Sequence, residues 1–132
     1  MLATLDVPFD ERATVFAVDA AVESGQPLII ANFVELPPLP LSVAMGYDQL
    51  EYTPAMSDAL TAPAELARSL GVAVERLRVK SPHPIQAVMQ VAAERDTGLL
   101  VFGPDRGRLR RFRYQRAARA IRSGARCLVW LA

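Results

Sequence analysis

The stretch "LATLDVPFDERATVFAVDAAVESGQPLIIANFVE", residues 2–35, decides the fold because it reads as a strand, a helix and a second strand. It opens with a short apolar run that stops at an aspartate and a proline, as a buried strand does where a loop begins. Residues 11–25 place apolar side chains at helical spacing, with Asp10 as a candidate N-cap and Gly25 as a candidate stop. Residues 27–35 are again β-branched and apolar. This order predicts a βαβ unit, which requires parallel strands and a right-handed crossover.

The remaining chain continues the alternation. Residues 36–54 contain four prolines and one glycine without a clear period, which predicts a long loop. A helical pattern follows from about residue 54 to residue 70, and we expect Pro63 to break or kink it. The later segments read as a strand at 72–80, a helix within 81–98, a strand at 99–103, a basic segment and a last strand at 127–132. Five apolar strands separated by helices predict an α/β fold, an open five-stranded parallel sheet with helices on both faces.

Composition and charge narrow the class of protein. A length of 132 residues suits a single domain, residues 1–132. Six basic and fourteen acidic residues precede position 106, whereas nine arginines and no acid follow, and such asymmetry indicates a partner. The single cysteine excludes an internal disulfide. With no signal-like start and no apolar run of membrane-spanning length, we expect a soluble, cytoplasmic protein without a membrane partner.

Four segments carry a resemblance to a known family. The segments "LATLDVPFDERATVFAVDAA", "LIIANFVELP", "SPHPIQAVMQVAAERDTGLLVFGPDRGR" and "ARCLVWL" resemble the universal stress protein family in order and separation, over essentially the whole chain. The resemblance implies a Rossmann-like sheet of order 3-2-1-4-5, of the adenine nucleotide alpha hydrolase-like type. It also implies a role in the stress response and a homodimer formed through residues 127–132. Some members of the family bind ATP and others do not, so an adenine nucleotide is the implied candidate cofactor.

The resemblance also implies candidate site residues. In ATP-binding members an aspartate that ends the first strand meets the adenine, and here Asp6, followed by Val7, fits that position. A residue after the second strand touches the ring, and Val34 fits it. Phe102 and Gly103 fit the end of the fourth strand, where a Gly-x-x-Gly, nine residues, Gly-Ser/Thr pattern holds ribose and phosphates. Glycine suits that pattern because backbone N–H groups approach phosphate oxygens most closely where no Cβ intervenes.

The phosphate pattern itself is not intact. Arg106 stands where the second glycine is expected, and Gly107 comes one place late. Arg116 and Ala117 stand where the third glycine and its hydroxyl residue are expected. The resemblance therefore predicts a degenerate ATP site, which does not bind ATP in the usual way.

Three interpretations of the arginine-rich segment compete. Side-chain forks of Arg106, Arg108 and Arg110 could replace the backbone in binding phosphate, since guanidinium groups bind it bidentately. Alternatively, the cluster could form a polyanion-binding module, with Phe112 and Tyr114 available for stacking. In the third interpretation the arginines are the solvated face of a helix.

The spacing of the arginines favours the solvated face. From Arg110 to Arg122 an arginine recurs every third residue, and on a helix this row drifts by about 60° per step. A drifting row is a poor groove reader, which argues against nucleic acid as a partner.

An enzyme is the less favoured class of function. The single histidine, His83, lies between prolines at a helix start, so an exposed capping or loop role is expected for it. The sequence offers it no second histidine, no cysteine partner and no serine in an elbow with which to form a catalytic triad. We expect neither catalytic residues nor a metal site. The sequence predicts a regulatory, stress-associated binding protein. The alternative is a nucleotide-binding protein or weak nucleotide hydrolase that uses Arg106 and Arg108 on the phosphate.

Overall fold

The structure, a computed structural model, describes residues 1–37 and 54–132, and the side chains of all of these except residues 54–58. Its strands and helices are β1 Leu2–Leu5, α1 Glu11–Ser24, β2 Leu28–Glu35, α2 Pro54–Ser69, β3 Val74–Ser81, α3 Pro84–Glu94, β4 Leu99–Phe102, α4 Arg111–Gly124 and β5 Leu128–Leu131. The five strands are parallel and follow the order β3-β2-β1-β4-β5. The predicted α/β fold and strand order are confirmed. The loop predicted for residues 36–54 lies almost entirely outside the described residues.

Helix α1 begins and ends where its capping residues predict. The Asp10 Oδ1 accepts a hydrogen bond from the Ala13 N–H at 3.0 Å, which satisfies a donor that the first turn leaves free. At the other end Gly25 adopts a φ of 67°, the left-handed conformation that glycine adopts most readily. The crossover between β1 and β2 is therefore fixed by short-range chemistry.

Helix α2 does not end at Pro63. A single helix runs from Pro54 to Ser69 and contains Pro63, so the expected break is wrong. Leu60, Ala64 and Ala67 on this helix are buried against the sheet. This burial of apolar surface offsets the hydrogen bond that proline cannot donate.

The sheet separates two apolar cores. Helices α1 and α2 pack on one face and helices α3 and α4 on the other. Alternate strand residues serve the two faces, with Leu2 and Ile30 on the α1/α2 side and Leu5 and Phe33 on the α3/α4 side. No helix of the described residues is long and apolar enough to cross a membrane. The carboxyl ends of β1, β2 and β4 lie at one edge of the sheet, which we call the rim together with the loops that follow these strands.

Candidate functional site

The loops that follow β1 and β4 are joined at the rim. The backbone N–H of Asp10 donates to the Gly103 carbonyl at 2.9 Å, and the N–H of Asp105 donates to the Pro8 carbonyl at 2.8 Å. In open α/β sheets this switch in winding direction is where ligands bind. Here the two loops satisfy part of their hydrogen-bonding capacity with each other.

Asp6 is held at the end of β1 by its backbone. Its N–H donates to the Phe33 carbonyl and to the Asn32 Oδ1, both at 3.1 Å. Asn32 is buried, so its amide fixes this turn from inside the sheet. The φ of Asp6 is 57°, a left-handed conformation that aspartate tolerates better than most residues. The turn places the Asp6 carboxylate at the rim, beyond the last residue of β1.

An arginine from α4 reaches this carboxylate. The Nη2 of Arg113 lies 3.5 Å from the Asp6 Oδ2 and 3.2 Å from the Glu35 Oε2. Arg113 is 34% exposed, so water screens the two ion pairs only in part. The carboxylate that follows β1 and the one that ends β2 therefore share one cation supplied by the chain itself. Sequence reasoning missed Arg113, because its partner Glu35 lies 78 residues away.

The loop between β4 and α4 closes on Asp105. The Asp105 Oδ1 accepts from the Gly107 N–H at 2.9 Å, and the Asp105 backbone carbonyl accepts from the N–H groups of Arg108 and Leu109, each at 3.0 Å. The Asp105 Oδ2 also lies 3.7 Å from the Arg108 Nε. The carboxylate thus receives a backbone donor in the loop where a phosphate site was considered.

Gly103 is a packing residue. Its N–H donates to the Ala3 carbonyl at 2.9 Å, so this donor already has a partner within the sheet. A Cβ at position 103 would overlap the Cβ of Ala13 on α1. The absence of a side chain at Gly103 is required for α1 to approach β4, whether or not a ligand binds.

Arg106 lies on an aromatic side chain. Its guanidinium carbon is 4.3 Å from the centre of the Tyr114 ring, a cation–π contact. Tyr114 is buried, stacks on Phe102 at 5.9 Å between ring centres, and donates its hydroxyl proton to the Ala132 carbonyl. In this structure Arg106 pairs with a ring, whereas Arg113 pairs with the rim carboxylates.

The other predicted site residues are mostly covered by the protein. Val34 is buried, Phe102 has no exposed surface, and Val7 is half-buried against the α3/α4 core. Position 116 lies inside α4 as the exposed Arg116, and Ala117 beside it is fully buried. Of the residues predicted to contact adenine or the strand ends, Asp6 is the one that brings a charged side chain to the rim.

A cleft of about 540 Å³ opens beside Arg113, between α3 and α4. Its lining combines apolar side chains with two guanidinium groups and an exposed aromatic ring, from Leu5, Ile85, Met89, Phe112, Arg113 and Arg116. His83 also borders it; this residue precedes α3, is exposed, and its side chain makes no capping hydrogen bond. Glu35 also lines the cleft and pairs there with Arg113, so a small anion with an apolar part would meet Arg116 as the cation that has no carboxylate partner among the described residues.

Comparisons with known proteins agree with this architecture. The sequence profile of the universal stress protein family matches residues 1–132. UspA from Lactobacillus plantarum superposes with a TM-score of 0.69 at 16% identity, covering 98% of this chain and 96% of that one. A universal stress protein from Archaeoglobus fulgidus in complex with dAMP gives 0.67 at 16% identity, covering 98% and 94%. A universal stress protein in complex with cAMP gives 0.65 at 17% identity, covering 100% and 95%.

The structural similarities carry the fold alone, since all three identities lie below the level at which ligands can be transferred. No curated protein gives a significant sequence match to this chain.

Proposed function

Because the chain belongs to the universal stress protein family, we propose that it is a regulatory binding protein of the stress response whose β4–α4 loop does not hold ATP through its backbone. The single observation that carries this proposal is the Asp105 carboxylate, which accepts the Gly107 N–H at 2.9 Å. A triphosphate at this loop would meet a carboxylate already bonded to a backbone donor.

The proposal follows from charge and from hydrogen bonding. A phosphate oxygen binds a loop when several N–H groups point at it and no acid competes. The N–H groups of Gly103, Asp105, Gly107, Arg108 and Leu109 all have acceptors within the chain. An incoming phosphate would have to break such bonds and approach the negative charge of Asp105. Both effects weaken nucleotide binding.

Asp6, the residue expected on the adenine side, also has a partner within the chain. A base that approached Asp6 would compete with Arg113, which already pairs with Asp6 and Glu35. A nucleotide with its base at Asp6 and its phosphates at the β4–α4 loop would therefore have to displace contacts of the chain at both ends. The rival proposal places a small nucleotide in the cleft, with its phosphate on Arg113 and Arg116, and is favoured by their position in the lining.

Thermal unfolding with ATP, AMP and cyclic AMP tests the proposal. Because a ligand that binds only the folded state raises the midpoint, we expect no rise with millimolar ATP. In Asp105→Ala the competing carboxylate is absent, so ATP should raise the midpoint of this variant more than that of the parent. A saturable rise with ATP in the parent protein contradicts the proposal. A rise with AMP or cyclic AMP that is lost in Arg113→Gln and Arg116→Gln supports the rival.

A second test addresses turnover. We propose binding without hydrolysis, so phosphate release from ATP should equal that of buffer alone. Release that is abolished in Arg106→Ala or Arg108→Ala would instead support the hydrolase interpretation of the arginine-rich segment.

We also propose that the protein forms a homodimer through β5. This strand pairs with β4 alone among the described residues, and Leu128 on it is 75% exposed. The N–H groups of Leu128 and Ala132 donate to the β4 side, to the carbonyls of Gly98 and Phe102. By the alternation of strand donors, the N–H groups of Val129 and Leu131 point away from β4, toward a second copy.

Light scattering of a proline variant tests the dimer. Val129→Pro removes an outward donor and leaves the β4 ladder intact, so we expect it to shift the protein toward monomer. Val129→Ala keeps the donor and serves as the matched control, which should remain dimeric. A parent protein that is monomeric at high concentration contradicts this part of the proposal.

A further inference from the structure

Helix α4 and its flanks present an unusual concentration of unpaired positive charge. Eight arginines are exposed there: Arg106, Arg108, Arg110, Arg111, Arg116, Arg119, Arg122 and Arg126. Within the described residues a carboxylate lies in ion-pair distance of Arg108 and of none of the other seven. The ninth, Arg113, is the one that the rim carboxylates use. Within residues 1–37 and 54–132, seven of the eight exposed arginines therefore have no carboxylate partner.

This arrangement opposes the stability of α4 itself. The first turn contains no acid, and Arg110 at the N-cap position makes no side-chain capping bond. Arg111 and Arg113 place positive charge at the end of the helix where the backbone dipole is already positive. Arg116, Arg119 and Arg122 repel one another across successive three-residue steps. A helix whose local charges conflict with its own stability is the pattern expected at a functional surface.

Four of the exposed arginines share one side of α4. At about 100° per residue, Arg111, Arg119 and Arg122 fall within an arc of about 80°, along about 16 Å of helix. Phe112, which is 76% exposed, lies about 20° beyond Arg119, and Arg116 extends the arc to about 140°. We call these five residues the α4 face.

The opposite layer has the opposite charge. The exposed acids of α1 and α2 include Glu11, Asp19, Glu23 and Glu65, against the exposed Arg12 and Arg68. A polyanion would thus be attracted to α4 and repelled by the far side of the molecule.

We propose that the α4 face binds single-stranded nucleic acid, with its arginines on the phosphates and Phe112 stacked on a base. This activity goes beyond the proposed regulatory function and does not involve the rim. The four arginines of the face and Phe112 lie on one side of α4, so a flexible strand can follow the cations while a base stacks on the ring. All the cations of the face are arginines, which bind phosphate bidentately. An exposed aromatic ring among cations is the recurring arrangement in single-strand binding, and it favours this partner over an acidic protein.

Fluorescence anisotropy with labelled oligo-dT and oligo-U tests the proposal in arms that separate DNA from RNA. The triple variant Arg111→Gln, Arg119→Gln, Arg122→Gln removes three charges outside the lining of the cleft. We expect the slope of log affinity against log salt to fall by about 2, since each phosphate contact on a single strand contributes about 0.7. The matched control Arg12→Gln, Arg68→Gln, Arg76→Gln removes three exposed arginines elsewhere and should leave the slope unchanged.

A second pair of variants separates stacking from charge. Phe112→Ala should weaken binding by about tenfold without changing the salt slope, because base stacking on an aromatic ring does not depend on salt release. Phe112→Leu keeps the apolar bulk and loses the planar ring, so it should weaken binding similarly. All of these side chains are exposed, and circular dichroism will verify that the variants stay folded.

Four results would overturn the proposal. The first is the absence of saturable binding to either oligonucleotide, and the second is tighter binding of a duplex of equal length. The third is an equal loss of affinity in both triple variants. The fourth is equally tight binding of polyglutamate, which would identify an acidic protein as the partner.

Discussion

The two halves of the rim satisfy their charges by different means. At the ends of β1 and β2, two carboxylates are paired by Arg113, which arrives from α4 and is distant in sequence. In the loop after β4, backbone donors are taken by Asp105, which lies within four residues of each. At the ends of β1 and β2 the bound cation is the Arg113 guanidinium, and in the loop after β4 the bound anion is the Asp105 carboxylate. Both groups belong to the chain itself. The comparison teaches that one rim can draw its cation from a residue distant in sequence and its anion from a residue within the same loop.

The largest expected effect concerns the glycine between the two halves. Gly103→Ala should destabilise the protein by about 3 kcal/mol, because its Cβ would overlap that of Ala13 in a closely packed interface. Chemical denaturation with an unchanged m-value would measure it. Gly98→Ala is the matched control, since no atom lies within 4 Å of a Cβ there, and it should change stability by less than about 0.5 kcal/mol.

A double variant sharpens this result. If the overlap with Ala13 is the cause, adding Ala13→Gly should recover part of the stability that Gly103→Ala loses, a coupling that a double-mutant cycle detects. Additive losses would show that Gly103 matters for another reason.

Substitution of Asp105 in the β4–α4 loop should lower the free energy of unfolding by less than Gly103→Ala does. Asp105→Ala leaves the Gly107 N–H without its acceptor and should cost about 1 kcal/mol in the free energy of unfolding. Asp105→Asn keeps an acceptor oxygen and should cost less than half as much. Equal losses in the two variants would mean that the negative charge, and not the hydrogen bond, stabilises this loop.

Local features such as helix caps and short loops could be predicted from the sequence. Asp10 and Gly25 were predicted as caps of α1, and both are confirmed, because capping depends on residues that are neighbours in the chain. The missing glycine at position 106 was also visible. The acceptor role of Asp105 could have been proposed from the Asp-x-Gly spacing, since aspartate commonly bonds the N–H two residues on. Pro63 was expected to break or kink α2, and the break is wrong because burial in the tertiary structure holds the helix together.

Substitution of Arg113, which pairs with the carboxylates of Asp6 and Glu35, should have the smallest effect on the free energy of unfolding. Arg113→Gln should cost at most about 1 kcal/mol, because ion pairs that water reaches contribute little, and the loss should shrink in concentrated salt. Arg116→Gln, an exposed neighbour without a carboxylate partner in the described structure, is the control and should be neutral. A loss that does not depend on salt would indicate that Arg113 contributes through packing.

The ion pairs of Arg113 with Asp6 and Glu35 could not be predicted in full from the sequence. The sequence predicted one strand that stops at Asp6 and a parallel strand that ends at residue 35, and these strands are neighbours in the sheet. The arginine that joins Asp6 and Glu35 could not be chosen among nine, because the choice depends on how α4 is rotated against the sheet. Arg106, singled out for its place in the motif, instead lies on Tyr114.

The central claim is that Asp105 already occupies the backbone donors that a triphosphate would need. Amide chemical shifts of Gly107, Arg108 and Leu109 during an ATP titration test it most directly. We predict that these three amides keep their shifts up to millimolar ATP in the parent protein. A saturable shift of all three, with the Gly107 amide leaving the Asp105 carboxylate, would contradict the claim.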